Sequence, residues 1–428
     1  MKAEVLTIGD ELLRGEIVDS NKSFLSDRLL QLDIETRFHT TVADDTDDIR
    51  DAFRQAVSRS DVVLVSGGLG PTRDDITVAV LAETFGRSLL LDEPSLAELE
   101  AFFLRLGREM SELNRKQAYF PEGAEILANP IGTAPGCMVT EAGTLIFCMP
   151  GVPRELYRMM DEQVLPRIAS RMSQGLVVRA RLLRTFGIGE SNLDEELGDI
   201  ARDDPDVSLG FRTSFPDNYL RPVVRALDEG EAAAKLDAVC EAIRARLGDL
   251  VYGEGEVSLP EVVGEALATA GKTLATAESC TGGLIAQRMT DIPGSSRYFL
   301  GGVAAYANEA KREFLGVDEL LLKEHGAVSE PVARAMAEGA RARFGADIAV
   351  STTGISGPGG GSEEKPVGLV WMALADASGT ESHDYVIRLD RSRHRELTAQ
   401  LAIDWVRRRL MGVPRAAPRF LARPGSKG

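Results

Sequence analysis

Three observations in the sequence predict an α/β fold: two α/β domains joined by a small α+β module. Short apolar runs alternate with helix-period segments over residues 1–171, the same rhythm returns over residues 258–411, and longer strands fill the stretch between them. The chain has 428 residues, enough for two or three cores and too many for one. Its 44% hydrophobic and 27% charged residues exclude wholesale disorder. With 49 Lys+Arg against 66 Asp+Glu the formal net charge is -17, so direct DNA binding is not expected. Cys137, Cys148, Cys240 and Cys280 lie far apart with no C-x-x-C pair, which argues against a disulfide scaffold or a zinc ribbon. Met1 to Leu13 has no signal-peptide pattern and no apolar run approaches membrane-spanning length, so a cytoplasmic protein without a membrane role is expected.

In the first rhythm, Ala3 to Ile8 reads as an apolar strand, and Leu25, Leu29 and Leu32 mark one face of a helix. Glu35 to Val42 reads as a strand, and Ile49, Phe53 and Val57 as a helix face. Val62 to Val65 is the β-branched run of a buried parallel strand, and Val78, Leu81 and Phe85 open the next helix. This domain is placed at 1–171.

The small α+β module is placed at 172–250. Leu176 to Phe186 and Val207 to Leu227 read as strands, the latter with a turn at Pro216-Asp217-Asn218; Ser191 to Ala201 and Glu229 to Leu247 read as helices. Nothing in it suggests chemistry, and a spacer or interaction role is expected. Val251 to Val257 reads as a linker. Ser258-Leu259-Pro260-Glu261 supplies an N-cap, an early proline and a capping-box Glu, and Gly271 closes that helix. Strands at Thr273–Ala277, Phe299–Tyr306, Asp347–Ser351, Val367–Leu374 and Asp384–Ile387 then alternate with helices, the last marked by Leu397, Leu401 and Trp405. The basic, proline-containing tail at 412–428 is expected to be disordered.

Two constellations carry chemistry. Gly9-Asp10-Glu11 follows the first strand and Asp19-Ser20-Asn21 opens the helix after it; Gly67-Gly68-Leu69-Gly70-Pro71-Thr72-Arg73-Asp74-Asp75 follows the buried strand. Glycine turns at strand ends let backbone N–H groups approach an anion, and nearby carboxylates suit a phosphate whose charge is shared with a divalent cation. Glycines that only make turns and acids that only cap helices are the plainer alternative.

The second constellation begins at Glu278-Ser279-Cys280-Thr281-Gly282-Gly283, between a strand and a helix, where a serine could act as a nucleophile beside helix N–H groups or simply cap the helix. Cys280 is a rival nucleophile, although His325, His383 and His394 stand in no motif that would serve it and read as surface or cap residues. Tyr306-Ala307-Asn308-Glu309-Ala310-Lys311 would put Lys311 in a first helical turn if Asn308 is the N-cap, where the helix dipole lowers a lysine pKa. A solvated Lys311 pairing with Glu309 or Glu313 is the alternative. Gly354 to Ser362 is glycine-rich enough to wrap a ligand, Lys365 is a second candidate lysine, and Arg391 and Arg395 make a possible phosphate fork.

Gly9 to Asn21, Ser66 to Asp75, Asn129 to Gly136 and Pro150 to Glu155 resemble the amino-terminal domain of the CinA (competence/damage-inducible) family, similar in fold to molybdopterin-binding proteins. The segments A-E-S-C-T-G-G, Y-A-N-E-A-K, H-G-A-V-S-E-P and G-G-S-E-E-K-P-V-G, in that order within 258–411, resemble its carboxy-terminal nicotinamide mononucleotide (NMN) deamidase domain. The resemblance implies a Ser/Lys amidohydrolase of pyridine-nucleotide salvage, with Ser279 as nucleophile, Lys311 as base and Tyr306 as a supporting hydroxyl. Glu278, Thr281, Gly282, Asn308, Gly354, Gly357, Arg391 and Arg395 would bind the substrate, and no cofactor is expected there. For the amino-terminal domain it implies metal-dependent ADP-ribose pyrophosphatase activity, with Asp10, Glu11, Asp19, Asn21, Gly67, Gly68, Gly70 and Thr72 around the ligand and Asp74 and Asp75 holding a divalent metal. A homodimer is expected. A competence or DNA-damage accessory protein working through protein contacts, and a molybdopterin-binding protein, are the alternatives.

Overall fold

The computed structural model describes residues 1–171, 177–415 and 417–421. It divides into two compact units, Met1–Val178 and Arg179–Gly428. Among the described residues, no helix is long and apolar enough to cross a membrane.

The first unit is built on β1 (Lys2–Ile8), β2 (Glu35–Val42), β3 (Val62–Ser66), β6 (Glu125–Leu127), β7 (Gly136–Glu141) and β8 (Thr144–Met149), with a separate ribbon of β4 (Leu89–Leu91) and β5 (Tyr119–Pro121). The six-stranded order is β2-β1-β3-β8-β7-β6, in which β2, β1, β3 and β8 run parallel and β7 and β6 antiparallel. Every residue of β3 and β8 is buried, because helices cover both faces. Alternation along the strands divides the core: Val5, Val62 and Leu64 pack with Leu25, Leu29 and Leu156, whereas Leu6, Val63 and Val65 pack with Ile49, Phe53 and Leu81. The expected β-α-β-α rhythm is present. The antiparallel edge of β6 and β7 carries no such alternation with helices, and the sequence reading did not anticipate it.

The second unit holds two sheets. The first is β11-β12-β10-β13, from β10 (Leu183–Thr185), β11 (Val207–Ser214), β12 (Asp217–Ala226) and β13 (Val251–Glu254), with β9 (Val177–Ala180) pairing to β12. Leu176, the expected start of this strand region, lies outside the described residues. The other sheet is β15-β14-β16-β17-β18, from β14 (Leu274–Glu278), β15 (Phe299–Ala304), β16 (Ile348–Gly354), β17 (Leu369–Asp376) and β18 (Gly379–Val386). Here β15, β14 and β16 are parallel, and β17 and β18 are antiparallel additions. The Leu259–Ala270 and Arg391–Met411 helices cover one face and the Asn308–Leu315 and Glu330–Phe344 helices the other. The capping box forms as the sequence predicts: Ser258 Oγ accepts from Glu261 N, the Glu261 carboxylate accepts from Ser258 N, and Gly271 ends the helix at φ 61°.

Two expectations are corrected. Val251 to Glu254 is a sheet strand rather than linker: β13 pairs with β10, and Tyr252 joins Phe186 in the same hydrophobic cluster as Leu259 and Leu397. The side of β13 that faces the second sheet is apolar, and burying it outweighs the freedom that Gly253 confers. The expectation of a disordered tail is overturned at 417–421: Arg419 N donates to Gly187 O at 2.7 Å, and the Phe420 ring meets Phe186 edge-on. Residues 422–428 lie outside the described residues.

Candidate active sites

In the first unit, the carboxyl ends of four parallel strands, β1, β2, β3 and β8, open onto one cleft of about 450 Å³. Such a strand-end crevice is where open α/β sheets bind ligands. Its floor is the Gly67–Gly70 turn. Gly67 has φ 108° and Gly68 φ 68°, and a Cβ on Gly67 would sit 2.2 Å from Ile8 O, so only glycine fits. Glu11, Asp19, Asp74 and Asp75 line the cleft as the sequence suggested, and Asn21 reaches it from the adjoining helix. Asn21 Nδ2 donates to Ser66 Oγ at 2.9 Å and to Gly151 O at 2.8 Å, whereas its Oδ1 is buried without a partner.

Some assignments move. The Asp10 carboxylate accepts from Arg14 at 2.5 Å and from Asp44 N at 3.4 Å, while Asp10 N donates to the Asp44 carboxylate, and Asp10 stands outside the lining. Thr72 donates from both N and Oγ1 to Asp75 Oδ2, at 2.8 and 2.6 Å, and stands outside the lining too. Asp75 therefore shapes the turn. Asp44 was missed, because Asp45 beside it reads as the N-cap of the following helix and masks a second acid at the end of β2. Burial raises the Asp44 pKa, and the like charges of Glu11, Asp10 and Asp74 add to the rise. Among the described residues, no three His, Cys, Asp or Glu side chains gather closely enough to ligate one metal. The donors are hard carboxylate oxygens that suit a divalent cation, but a complete shell would need oxygens from a bound phosphate or from water.

In the second unit, the ends of β14, β15 and β16 lie side by side, with Glu278 in register with Ala304 and with Thr352. The loops carrying Ser279, Tyr306 to Lys311 and Gly354 to Gly361 thus leave the same sheet edge. Gly282 at φ 62° and Gly283 at φ 95° turn the chain from Ser279 into the Leu284–Thr290 helix. Glu278 belongs to this turn and not to a substrate: its buried carboxylate accepts from Gly283 N, Ile285 N and Ala286 N at 3.0, 3.0 and 2.8 Å. Thr281 is likewise internal, its Oγ1 2.7 Å from Thr352 Oγ1.

Lys311 is 1% exposed, which excludes a solvated surface lysine. Its Nζ donates to Ala305 O at 2.9 Å and to Tyr306 O at 3.1 Å, and burial lowers its pKa, opposed by the neighbouring Cys280 and Glu309. The helix N-cap is Ala307 rather than Asn308, so Asn308 is its exposed first residue and Lys311 N still bonds the cap carbonyl at 3.2 Å. Cys280 is buried, and burial pushes its thiol up to about 12, which leaves no thiolate at neutral pH. Lys365 turns to the carbonyl of His325. His394, expected at the surface or in a cap, is fully buried with Nε2 3.2 Å from Gly368 O.

Two arginines of the Arg391–Met411 helix gather the loops. Arg391 donates to Gly357 O at 2.9 Å and to the exposed Tyr306 hydroxyl at 3.0 Å, and Arg395 donates to Thr281 O at 2.8 Å. Each guanidinium keeps further N–H donors for a ligand. Gly354 closes β16, where a Cβ would lie 2.8 Å from Leu369 O, and Gly357 has φ 78°. A buried, unpartnered Ser356 hydroxyl in the same loop escaped the sequence reading, because serine in a glycine-rich loop reads as turn.

An acidic, glycine-floored α/β domain followed by a small module and a Ser/Lys-bearing α/β domain defines a composite class, and comparison with known proteins matches it part by part. Residues 4–170 match the model of a probable molybdopterin binding domain, 180–253 the damage-inducible protein CinA KH domain, and 256–410 the CinA C-terminal domain. A protein of Symbiobacterium thermophilum named for competence-damage induction is 47% identical over 424 residues, covering 96% of this chain and 99% of its own length. A CinA-like protein of Geobacter metallireducens is 44% identical over 412 residues, covering 96% of this chain and 100% of its own. A solved competence/damage inducible protein from Agrobacterium tumefaciens is 41% identical over 36% of this chain and 97% of its own, with a TM-score of 0.34. The chain belongs to the CinA family.

Proposed function

We propose that the second unit is an NMN amidohydrolase, forming nicotinate mononucleotide and ammonia, and that the first-unit cleft cleaves ADP-ribose at its pyrophosphate. The observation that carries the amidase reading is the burial of Lys311 at the sheet edge from which Ser279 emerges. A serine hydroxyl needs a base, and lysine serves only when neutral. A neutral amine has two N–H bonds and one lone pair; the carbonyls of Ala305 and Tyr306 can take both N–H bonds. The lone pair is then left for the Ser279 proton.

In this reading Ser279 Oγ adds to the amide carbon of NMN as its proton passes to Lys311 Nζ. The proton then goes to the departing nitrogen, the C–N bond breaks and ammonia leaves. Water attacks the resulting ester, again losing a proton to Lys311, and releases the carboxylate with Ser279 restored. Because Glu278 takes the amides of Gly283, Ile285 and Ala286, these three would not serve as oxyanion donors. Arg391 and Arg395 are suited to the phosphate of the nucleotide.

In the first unit the Gly67–Gly70 turn would meet the pyrophosphate, and Asp74 would hold a divalent cation against it, with phosphate oxygens and water completing the shell. The cation would neutralise phosphate charge. Ammonia release from NMN, compared between the native protein and Ser279→Ala, tests the amidase reading; persistence of release in the variant refutes it. Cation-dependent consumption of ADP-ribose, with and without chelator, tests the first-unit reading.

A further inference from the structure

The module between the two α/β regions packs against the helix that carries Arg391 and Arg395. Its β11–β12 hairpin ends in Phe215 and Pro216, and the Phe215 ring lies 5.7 Å from the Arg393 guanidinium on the Arg391–Met411 helix. Next in the chain, Asp217 is buried, with one carboxylate oxygen accepting from the Tyr252 hydroxyl at 3.1 Å and the other from Gln400 Nε2. Gln400 is fully buried, and its Oε1 accepts from Arg288. Arg288 belongs to the Leu284–Thr290 helix that the Ser279 turn opens, and Gln400 lies on the helix that carries Arg391 and Arg395. Gln400 thus ties together the two helices that frame the site, and the Asp217 carboxylate fixes the orientation of its amide.

We infer that Asp217 is a positioning residue for the second-unit site, holding the Ser279 turn and the Arg391–Arg395 face in register through Gln400 and Arg288. The inference rests on the amidase reading for its kinetic consequence. An apolar contact would dock two elements at least as strongly as a buried carboxylate does, so a buried polar chain here points to specification of geometry. The remaining ionisable surround is Arg184, Tyr219, Glu396 and Asp291: Arg184 draws the Asp217 proton off, and Glu396 and Asp291 act on Arg288. A second tie grips the far half of the same helix: Arg407 donates to Asp249 O at 2.7 Å, Arg408 pairs with the Asp249 carboxylate, and Asp404 accepts from both arginines. That half carries no loop of the site, and the Asp249 tie serves as an internal control.

The test uses the full chain with Asp217→Asn, Gln400→Glu and the two together, read by NMN kinetics and by amide hydrogen exchange over residues 279–290 and 391–400. Each single change is expected to raise KM about tenfold, with kcat changed less than about twofold, and to speed exchange in both segments. The double change exchanges donor for acceptor and should restore both readouts. Asp249→Asn should lower the thermal midpoint and leave KM unchanged. Wild-type KM and exchange in the single variants would overturn the inference, as would a double variant no better than the singles or an equal KM rise in Asp249→Asn. If the native protein releases no ammonia from NMN, the amidase reading fails, and exchange alone decides the positioning role.

Discussion

Lys311 Nζ lies 2.9 Å from the carbonyl oxygen of Ala305, the residue that follows the last residue of β15, although the lysine itself sits in the next helix. The helix thus folds its own cation back over the strand end that precedes it. There the amine is shielded from water and lies within electrostatic reach of Cys280, the neighbour of Ser279 in its turn. Burial makes the charged form costly, and two carbonyls keep the amine oriented whether or not it is charged.

Lys311→Arg is expected to abolish turnover of NMN and keep binding within a few fold, because a guanidinium cannot lose a proton near neutrality. In the native enzyme the acidic limb of kcat/KM should rise with pH as the amine deprotonates, with a midpoint below that of an ordinary lysine. Turnover retained in Lys311→Arg and lost in Lys365→Arg would move the base to Lys365.

Asp74→Asn is expected to lower cation-dependent ADP-ribose cleavage at least tenfold and to leave ammonia release from NMN untouched. Asp75→Asn should do so with an added loss of about 1 kcal/mol in stability, since Thr72 donates to its carboxylate. Cleavage at the native rate in Asp74→Asn would remove the cation assignment.

Glu278→Ala leaves three backbone N–H groups without their acceptor in a buried turn. A loss of roughly 2–4 kcal/mol is expected, read as a lower urea midpoint at unchanged slope. A midpoint equal to that of the native protein would mean that the cap is dispensable.

Asp217 is pushed by burial to about 6, above its ordinary 3.8. Between those values the folded state binds the extra proton, so stability from this group is fully present below about pH 4 and is lost as pH rises through 6. The loss amounts to about 3 kcal/mol at neutral pH. Urea unfolding from pH 4 to 7 should show this downward component in the native protein and not in Asp217→Asn. Parallel pH profiles for the two proteins would exclude it.

Much of the fold was legible because it is encoded over short sequence distances. The β3 run of Val62 to Val65, the Ser258–Glu261 capping box and the helix faces at Leu25 and Leu29 depend on neighbours within a few residues. The glycine turns were equally legible: Gly67, Gly68, Gly282 and Gly283 sit at positive φ where strands hand over to helices. The antiparallel strands β6 and β7 were not read, since their short stretches carry no helix-period partner to set them off.

The sequence by itself singled out the loops that the fold gathers at the strand ends: the Gly9–Asn21 and Ser66–Asp75 loops, and those of Ser279, Lys311 and Gly354. Residue type and strand-end position suffice for that. Only the tertiary structure decided what individual side chains do within those loops. Glu278 became a helix cap, Asp10 turned to Arg14, Asp44 joined the acidic cleft, and Tyr252 turned an apparent linker into core. The same holds for Asp217, whose partner Gln400 lies 183 residues away. Periodicity and capping rules reach about one helical turn, whereas burial and hydrogen-bond partners are set by packing between distant segments, and each carboxylate takes whichever donor the packed fold presents to it.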